Sequence, residues 1–527
     1  MADGPVEARA DSPTSRGLLR TLDSVFRAHP AWILALVVIA TLIAQAPVLG
    51  HYFFGDDFVP LADIASRGTS EYLKDLFLLQ DETPNWRFLT GLFYLGAYET
   101  FGLTAASYLA VAVIVHLGTA ALIFHFLRRV TKEAWLAALA AALFGLSPAS
   151  VPTVGQVTAI NNVFGGFLLM LSIVLVYEAS DRRPFALWAG GAALAFAAAI
   201  AANESVAVLA PVPILVALWR WSDNAESAAR GRWVRAAVLS APFAILGGVA
   251  LIGFGVCECT AAAEGGAFGA GGHLFDNALI YLGRLLYPVG MEPPGDVGMA
   301  HLVAGLVAAV LALAAFVRGP APARITVIFL ALALIPYLPL KLWSAPRYVY
   351  LASVPFSMVA ALVVWEAASL ARRLSPVVST IVMVAVIGVL GLFVWQTWSQ
   401  NQDFDNLTSD WEALAGGIED TYPDLPEGST VYVRGGPLTG PLLQCVVLPA
   451  LGEVLWGGSK LFTIASDSAE TFGARPGYPV FLADSIDGGF VPATLSISEG
   501  EGGVTLLPHV PPDATGNLCR DDVPGFP

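Results

Sequence analysis

Residues 31–60 read AWILALVVIATLIAQAPVLGHYFFGDDFVP and join a long apolar run to an acidic pair. Residues 31–49 are almost all apolar, and crossing a hydrocarbon layer of ~30 Å takes about 20 such residues. The acidic pair Asp56 and Asp57 follows a few positions later. The stretch therefore predicts a membrane span that delivers an acidic loop to one membrane surface.

Further apolar runs of this kind predict a polytopic α-helical membrane protein with about eleven spans. The chain is 56% hydrophobic and 13% charged, whereas a soluble domain carries about 25% charged residues. This composition argues against a water-soluble enzyme, a disordered chain and a collagen. The predicted spans are 31–49, 105–127, 134–149, 161–178, 184–202, 204–219, 235–256, 299–317, 324–340, 348–368 and 376–397.

The basic residues predict the orientation of these spans. With the N-terminus in the cytoplasm, the inside segments hold 17 of the 27 Lys and Arg residues, and each has at least two, as the positive-inside rule expects. Residues 1–30 are then a cytoplasmic tail, and 31–49 is a retained span, since no small-residue cleavage motif follows it. We expect a multi-pass protein of the inner or plasma membrane with its C-terminus outside. The net charge of −15 argues against nucleic-acid binding.

The chain divides into a transmembrane domain, 31–398, and an outer domain, 399–527. The first includes long outer loops at 50–103 and 257–298, with helical spacing of apolar residues in the first of them. The second is richer in Asp, Glu, Gly and Pro, and predicts a small α/β domain that is periplasmic or extracellular. It combines an amphipathic helix over 404–418, a buried helix at 441–451, and strand-like runs at 429–435, 460–466, 478–483 and 493–498.

All four cysteines fall on the predicted outer side, where disulfides form. Cys445 and Cys519 are candidates for a bond that staples the outer domain. Cys257 and Cys259 are only two positions apart, a strained geometry for a direct bond.

Two acidic positions are candidate functional sites. Asp56 and Asp57 could supply a general base or ligands for a divalent cation; the alternative is a solvated turn. Asn203 and Glu204 lie at an outer turn between two apolar spans, where ionisable groups are functional candidates. The alternative there is a helix cap, with Asn203 as N-cap and Glu204 in the first turn.

Basic residues on the outer side point to an anionic ligand. Lys341 and Arg347 run against the charge bias of the outer loops, and a lipid phosphate is the anion available at that depth. The alternative is a pair of membrane-surface anchors beside Trp343. Arg87 is a further phosphate candidate, or else pairs with the nearby acids at 81–82. His116, within a span, is interpreted as a helix-packing hydrogen bond.

Several motifs place the chain near a known family. They are GDDF (55–58), NWRFLTGLFYLGAYETFG (85–102), SYLAVAVIVHLGTAALIFHFL (107–127), the stretch 141–179 that contains TVGQVTAINN, NES (203–205) and APRYVYLASVP (345–355). Their order over ten spans, about 340 residues, resembles the GT-C superfamily of membrane glycosyltransferases, which includes protein O-mannosyltransferases and the lipid A aminoarabinose transferase. No P-loop, GxGxxG, HExxH or GxSxG motif suggests another chemistry.

The resemblance implies an inverting glycosyltransferase that takes a sugar from a polyprenyl-phosphate donor. The acceptor would be a cell-envelope glycan, lipid or protein on the outer face. By resemblance, Asp56 or Asp57 is the base, and the sequence does not choose between them. Lys341 and Arg347, with Arg87 a weaker candidate, would hold the phosphate; Asn203 stands where many members have Lys before the acid that aligns with Glu204. The sequence requires no cofactor and leaves a divalent cation open.

A second hypothesis is a lipid-linked glycan transporter or a non-catalytic partner in envelope assembly. A transporter is expected to show internal inverted repeats and polar groups at the bilayer midplane. The sequence shows no such repeat and few such groups.

Overall fold

A computed structural model describes 30–78, 87–223, 229–256, 269–291, 297–341, 345–423, 425–426, 429–434, 447–456, 460–464, 480–486 and 489–492. The helices are α1 Pro30–Gln45, α2 Phe58–Arg67, α3 Thr69–Leu78, α4 Phe88–Phe101, α5 Ala105–Thr131, α6 Ala134–Gly145, α7 Val151–Val154, α8 Ile160–Ala179, α9 Phe185–Ala202, α10 Pro211–Asp223, α11 Ala229–Val256, α12 His273–Leu286, α13 Met299–Arg318, α14 Ala321–Leu334, α15 Tyr350–Leu374, α16 Pro376–Thr421 and α17 Leu448–Leu455. Short 3-10 turns at Gly55–Asp57, Val157–Ala159, Glu204–Leu209 and Pro346–Val349 stand at the ends of these helices.

Within the described ranges, nine helices are long and apolar enough to cross a membrane. A tenth span arises if α6 and the segment Pro148–Val154, which bend by 48° against each other, count as one broken span. Near the predicted span 324–340 the structure has an apolar helix, Ala321–Tyr337, that is shorter than the other nine. The broken span is the one that leads to the site, because the segment 155–158 directly follows it in the chain.

The last predicted span and the amphipathic helix that leaves it form one element. The sequence predicts a span over 376–397 and an amphipathic helix over 404–418, and both lie in α16, one continuous helix of 46 residues. No Pro interrupts it after its first turn, so the helix can continue beyond the apolar part. Its first half is largely exposed in the protein alone, as expected for a lipid-facing surface, whereas Phe404, Trp411, Leu414 and Ile418 are buried.

After α16 the chain forms a four-stranded sheet in the order β2-β1-β3-β4. The strands are β1 Thr430–Arg434, β2 Lys460–Ile464, β3 Val480–Ile486 and β4 Gly489–Pro492. Strand β1 pairs in parallel with β2 and β3, and β4 pairs antiparallel with β3. Helix α17 starts inside the helix predicted at 441–451, and the predicted strand at 493–498 lies outside the described residues.

The outer half of α16 supports the acidic loop after α1. Phe54 packs on Phe404 and Trp411 with ring centroids 5.7 and 5.9 Å apart, and Phe58 lies 5.7 Å from Trp411. The backbone N–H of Tyr52 donates to the hydroxyl of Thr408. Phe54 and Phe58, which flank Gly55–Asp57, are therefore packed on α16.

Polar side chains join the same elements at the outer end of α1. His51 lies between the carbonyl oxygens of Gly155, at 3.2 Å, and Asn401, at 2.8 Å. Gln45 donates to the hydroxyl of Ser150 and accepts from the amide of Asn401. Buried polar groups need such partners, and here the partners tie α1, the segment 147–155 and α16 together.

Candidate active site

Asp57 anchors the acidic loop and is fully buried. Its carboxylate accepts hydrogen bonds from the backbone N–H groups of Phe54 (3.0 Å), Thr158 (2.6 Å) and Val157 (3.4 Å), and from the Thr158 hydroxyl (2.8 Å). Gly55 has a φ of 56°, in the left-handed region that favours glycine. It therefore allows the tight turn that directs the Asp57 carboxylate into the protein. Both oxygens are saturated, so Asp57 joins the loop to the segment 155–158.

The burial of Asp57 gives a testable pH dependence. Desolvation, followed by the negative charge of Asp56, raises the pKa of Asp57 to about 7, against the opposing effect of the hydrogen bonds from Thr158 and Phe54. An unfolded Asp titrates near about 3.9, so between roughly pH 4 and 7 the folded chain holds more protons on this group. Stability should therefore fall as the pH rises through this range. We expect the melting temperature of the wild type to fall more steeply from about pH 5 to 7 than that of Asp57→Asn; parallel curves would contradict this.

The side chain of Asp56, unlike that of Asp57, is accessible from outside the protein. Its side chain is 44% exposed, and its Oδ1 accepts a hydrogen bond of 2.6 Å from Nε2 of Gln156. The Nη1 of Arg347 lies 3.2 Å from its Oδ2. Of the two adjacent carboxylates, Asp56 is thus the one that a substrate can reach.

Arg347 enters the site from the turn before α15. Besides Asp56, its Nη1 donates to Oε1 of Gln156 at 3.1 Å. The hydroxyl of Thr153 donates to its backbone carbonyl at 3.2 Å, which fixes the turn against α7. Three turns that are far apart in the chain, at 55–57, 153–158 and 346–349, therefore meet at one point.

Arg87 and Glu204 form a second ion pair. Nε and Nη2 of Arg87 donate to the two carboxylate oxygens of Glu204 at 2.8 and 2.7 Å, a bidentate geometry. Burial alone would lower the pKa of Arg87, but the Glu204 carboxylate outweighs it and raises that pKa, so the guanidinium stays charged. Arg87 is also close enough to Arg347 for the two charges to repel each other. The nearby acids suggested as partners from the sequence, Asp81 and Glu82, lie outside the described residues.

Asn203 acts as a helix cap and as a link below this ion pair. Its Oδ1 accepts from the backbone N–H of Ser205, and its Nδ2 donates to Oδ1 of Asn162, both at 2.9 Å. The hydroxyl of Tyr337 donates to the same oxygen of Asn162 at 3.3 Å. Asn203 therefore orients the turn that carries Glu204 and is itself buried from any ligand.

The other candidate residues lie apart from this cluster or beyond the described chain. Lys341 is exposed, with the stem of its side chain against the backbone of Gly269. His116 packs as expected, with Nδ1 2.9 Å from the Tyr350 hydroxyl. Trp343 and the disulfide candidates Cys445 and Cys519 lie outside the described residues. In the described part of the chain, no three His, Cys, Asp or Glu side chains group as metal ligands; the sequence leaves a divalent cation open.

Sequence reasoning missed Gln156 and Thr158, although both stand in the quoted segment TVGQVTAINN. A signal was present, because Gln156 is a long polar residue in an otherwise apolar and small-residue stretch. It also missed the stacked pair Tyr337 and Tyr348, whose rings lie 4.8 Å apart at 11°. Nothing in the spacing of these residues distinguishes them from ordinary membrane-surface aromatics.

Comparison with known proteins gives structural neighbours only. No family model matches the chain, and no curated protein resembles it significantly in sequence. Among solved structures, it is similar to ArnT from Cupriavidus metallidurans bound to undecaprenyl phosphate, with 14% identity, a TM-score of 0.47, and coverage of 87% of this chain and 94% of that one. It is also similar to the oligosaccharyltransferase AglB from Archaeoglobus fulgidus in complex with an inhibitory peptide and a dolichol-phosphate, with 12% identity, a TM-score of 0.46, and coverage of 84% and 65%. At such identities and TM-scores these likenesses carry no conclusion about the family, the function or the site residues of the chain.

Proposed function

We propose that the chain is an inverting GT-C-type glycosyltransferase, which moves a sugar from a polyprenyl-phosphate donor to a hydroxyl group. The acceptor is a cell-envelope glycan, lipid or protein on the outer face of the membrane. The observation that carries the proposal is the meeting of Asp56, a reachable carboxylate, with Arg347, a guanidinium 3.2 Å away. Acid–base chemistry and phosphate binding need these two groups side by side.

The reaction needs three things from the protein: an oriented hydroxyl, a base and a cation for the leaving phosphate. Asp56 takes the proton of the acceptor hydroxyl while the oxygen of that hydroxyl attacks C1 of the sugar. The bond from C1 to the phosphate oxygen breaks, and its electron pair leaves with the phosphate. Arg347 neutralises that charge, with Arg87 as a second cation. The activated phosphate ester makes a nucleotide unnecessary.

The state of Asp57 supports inversion. A retaining enzyme uses a second carboxylate as nucleophile, about 5–5.5 Å from the first and open to the sugar. Asp57 is fully buried, and both its oxygens already accept hydrogen bonds. One accessible carboxylate is what a single displacement requires.

The test of the proposal is sugar transfer by the purified protein in nanodiscs. A panel of radiolabelled polyprenyl-phosphate sugars is incubated with a cell-envelope extract as the acceptor source. Transfer of label from one donor would support the proposal. Binding of a labelled donor without transfer would favour the transport or assembly hypothesis, and neither binding nor transfer across the panel would overturn the proposal.

Arg347→Ala is expected to weaken donor use. Loss of a charge-assisted contact to phosphate costs about 1.5–3 kcal/mol, or roughly 10- to 150-fold in kcat/KM for the donor. The matched control is Arg318→Ala, which removes an exposed arginine at the end of α13 and should leave transfer unchanged. Equal kcat/KM values in the two variants would contradict the assignment of Arg347.

A further inference from the structure

Gln156 lies between the two charged groups of the site. It is 3% exposed, its Nε2 donates to Oδ1 of Asp56 at 2.6 Å, and its Oε1 accepts from Nη1 of Arg347 at 3.1 Å. Only this orientation of the amide satisfies both neighbours, because the flipped amide would set oxygen against carboxylate and NH2 against guanidinium. The hydrogen bond to Asp56 therefore fixes the amide in the orientation that also accepts from Arg347.

The segment that carries Gln156 is held on both sides. The backbone N–H groups of Val157 and Thr158 donate to Asp57. On the other side, the carbonyl oxygen of Gly155 faces the ring of His51, and a Cβ at this glycine would lie only 3.0 Å from that ring. Gln156 is thus a fixed point, whereas Asp56 and Arg347 are 44% and 26% exposed.

Both oxygens of Asp56 are engaged in this structure. Oδ1 accepts from Gln156 at 2.6 Å, and Oδ2 faces Arg347 at 3.2 Å. An acceptor hydroxyl that passes its proton to Oδ2 competes with Arg347 for that oxygen. A phosphate group attracts a guanidinium in the same geometry as a carboxylate does, so the donor is the natural competitor for Arg347.

We propose that Gln156 is a positioning residue that keeps Asp56 in place while Arg347 turns from Oδ2 of Asp56 to the phosphate of the donor. The Asp56–Arg347 pair then acts as a switch: Arg347 holds Oδ2 of the base in the donor-free enzyme and releases it when donor binds. This inference rests on the proposed function. It predicts that donor binding precedes activation of the acceptor hydroxyl.

The test variant is Gln156→Met, which keeps the length of the side chain and removes both hydrogen bonds. Misplacement of a catalytic group by about 1 Å costs on the order of 100-fold in rate. We expect kcat to fall by that order, while the Kd for undecaprenyl phosphate changes by less than about threefold. Gln156→Glu should be as slow, since its carboxylate accepts from Arg347 but repels Asp56.

Gln45→Met is the matched control. Gln45 is also a fully buried glutamine with two side-chain partners, Ser150 and Asn401, at the outer end of α1. Its loss should lower the melting temperature and leave kcat per folded molecule unchanged. A purely structural role of Gln156 would give the same pattern in both variants.

The possible outcomes test the role of Gln156 separately from the proposed glycosyltransferase activity. Wild-type transfer with unchanged kcat in Gln156→Met overturns the inference and leaves the glycosyltransferase standing. A rise in Kd that accounts for all the lost activity also overturns it, because Gln156 would then act on the donor. Absence of transfer by the wild type with every donor overturns both.

Discussion

Replacing Asp56 by Asn is expected to lower the rate of sugar transfer by about 100- to 10,000-fold, the usual contribution of a general base. The amide keeps the size of the side chain but cannot take the proton of the acceptor hydroxyl. Because Asp56 is half-exposed and no part of the core, the melting temperature should change little. The measurement is single-turnover transfer from the donor that the wild type uses, with circular dichroism to confirm the fold.

Asp57→Asn gives the comparison that decides between the adjacent carboxylates. The NH2 of the Asn amide would replace one carboxylate oxygen and face the N–H of either Phe54 or Thr158, so the buried loop loses hydrogen bonds and the protein loses stability. Loss of activity should therefore accompany a lower melting temperature. Full activity in Asp56→Asn, with loss in a well-folded Asp57→Asn, would reverse the assignment.

Replacing Trp411 by Ala is expected to disable the site from a distance. Trp411 is 1% exposed and contacts both phenylalanines that flank the acidic loop. Removing such a side chain leaves a cavity and costs about 3–5 kcal/mol. We expect a lower melting temperature and a loss of transfer, since Phe54 and Phe58 lose the surface that holds Asp56 toward Arg347.

Trp395→Ala is its control on the same helix. Trp395 is 64% exposed in the protein alone, and exposed substitutions usually change stability by no more than about 0.5 kcal/mol. Thermal unfolding and transfer assays on both variants check the contrast. Similar losses in the two variants, or none in Trp411→Ala, would show that α16 does not support the acidic loop.

The spans were the predictable part of the fold, because about 20 apolar residues in a row have few alternatives in a chain with so little charge. Each predicted span has an apolar helix near its position. The bend after α6 was not predictable, since Gly145 and Pro148 fall in a run that reads as one span. Along α16 the composition changes from apolar to polar, whereas the backbone stays helical throughout.

The sequence predicted which residues belong to the candidate site, but it did not predict which acid pairs with which base. The sequence singled out Asp56, Arg347, Arg87 and Glu204, and the structure pairs them as Asp56–Arg347 and Arg87–Glu204. Which acid meets which base depends on how turns 117 and 291 residues apart are packed, and no local pattern encodes that. The division of roles between Asp56 and Asp57 likewise comes from burial, which two adjacent identical residues cannot reveal.

The support of the acidic loop by α16 has a consequence for biosynthesis. The contacts His51–Asn401 and Tyr52–Thr408 join residues 350 and 356 positions apart. At a synthesis rate of about 5–20 residues per second, the loop at 51–58 waits roughly 20–70 s for its partner helix to be made. During that time Phe54 and Phe58 lack Trp411, the α16 side chain on which both pack. A ribosome that stalls before the last span would leave an inserted protein whose acidic loop lacks the helix that supports it.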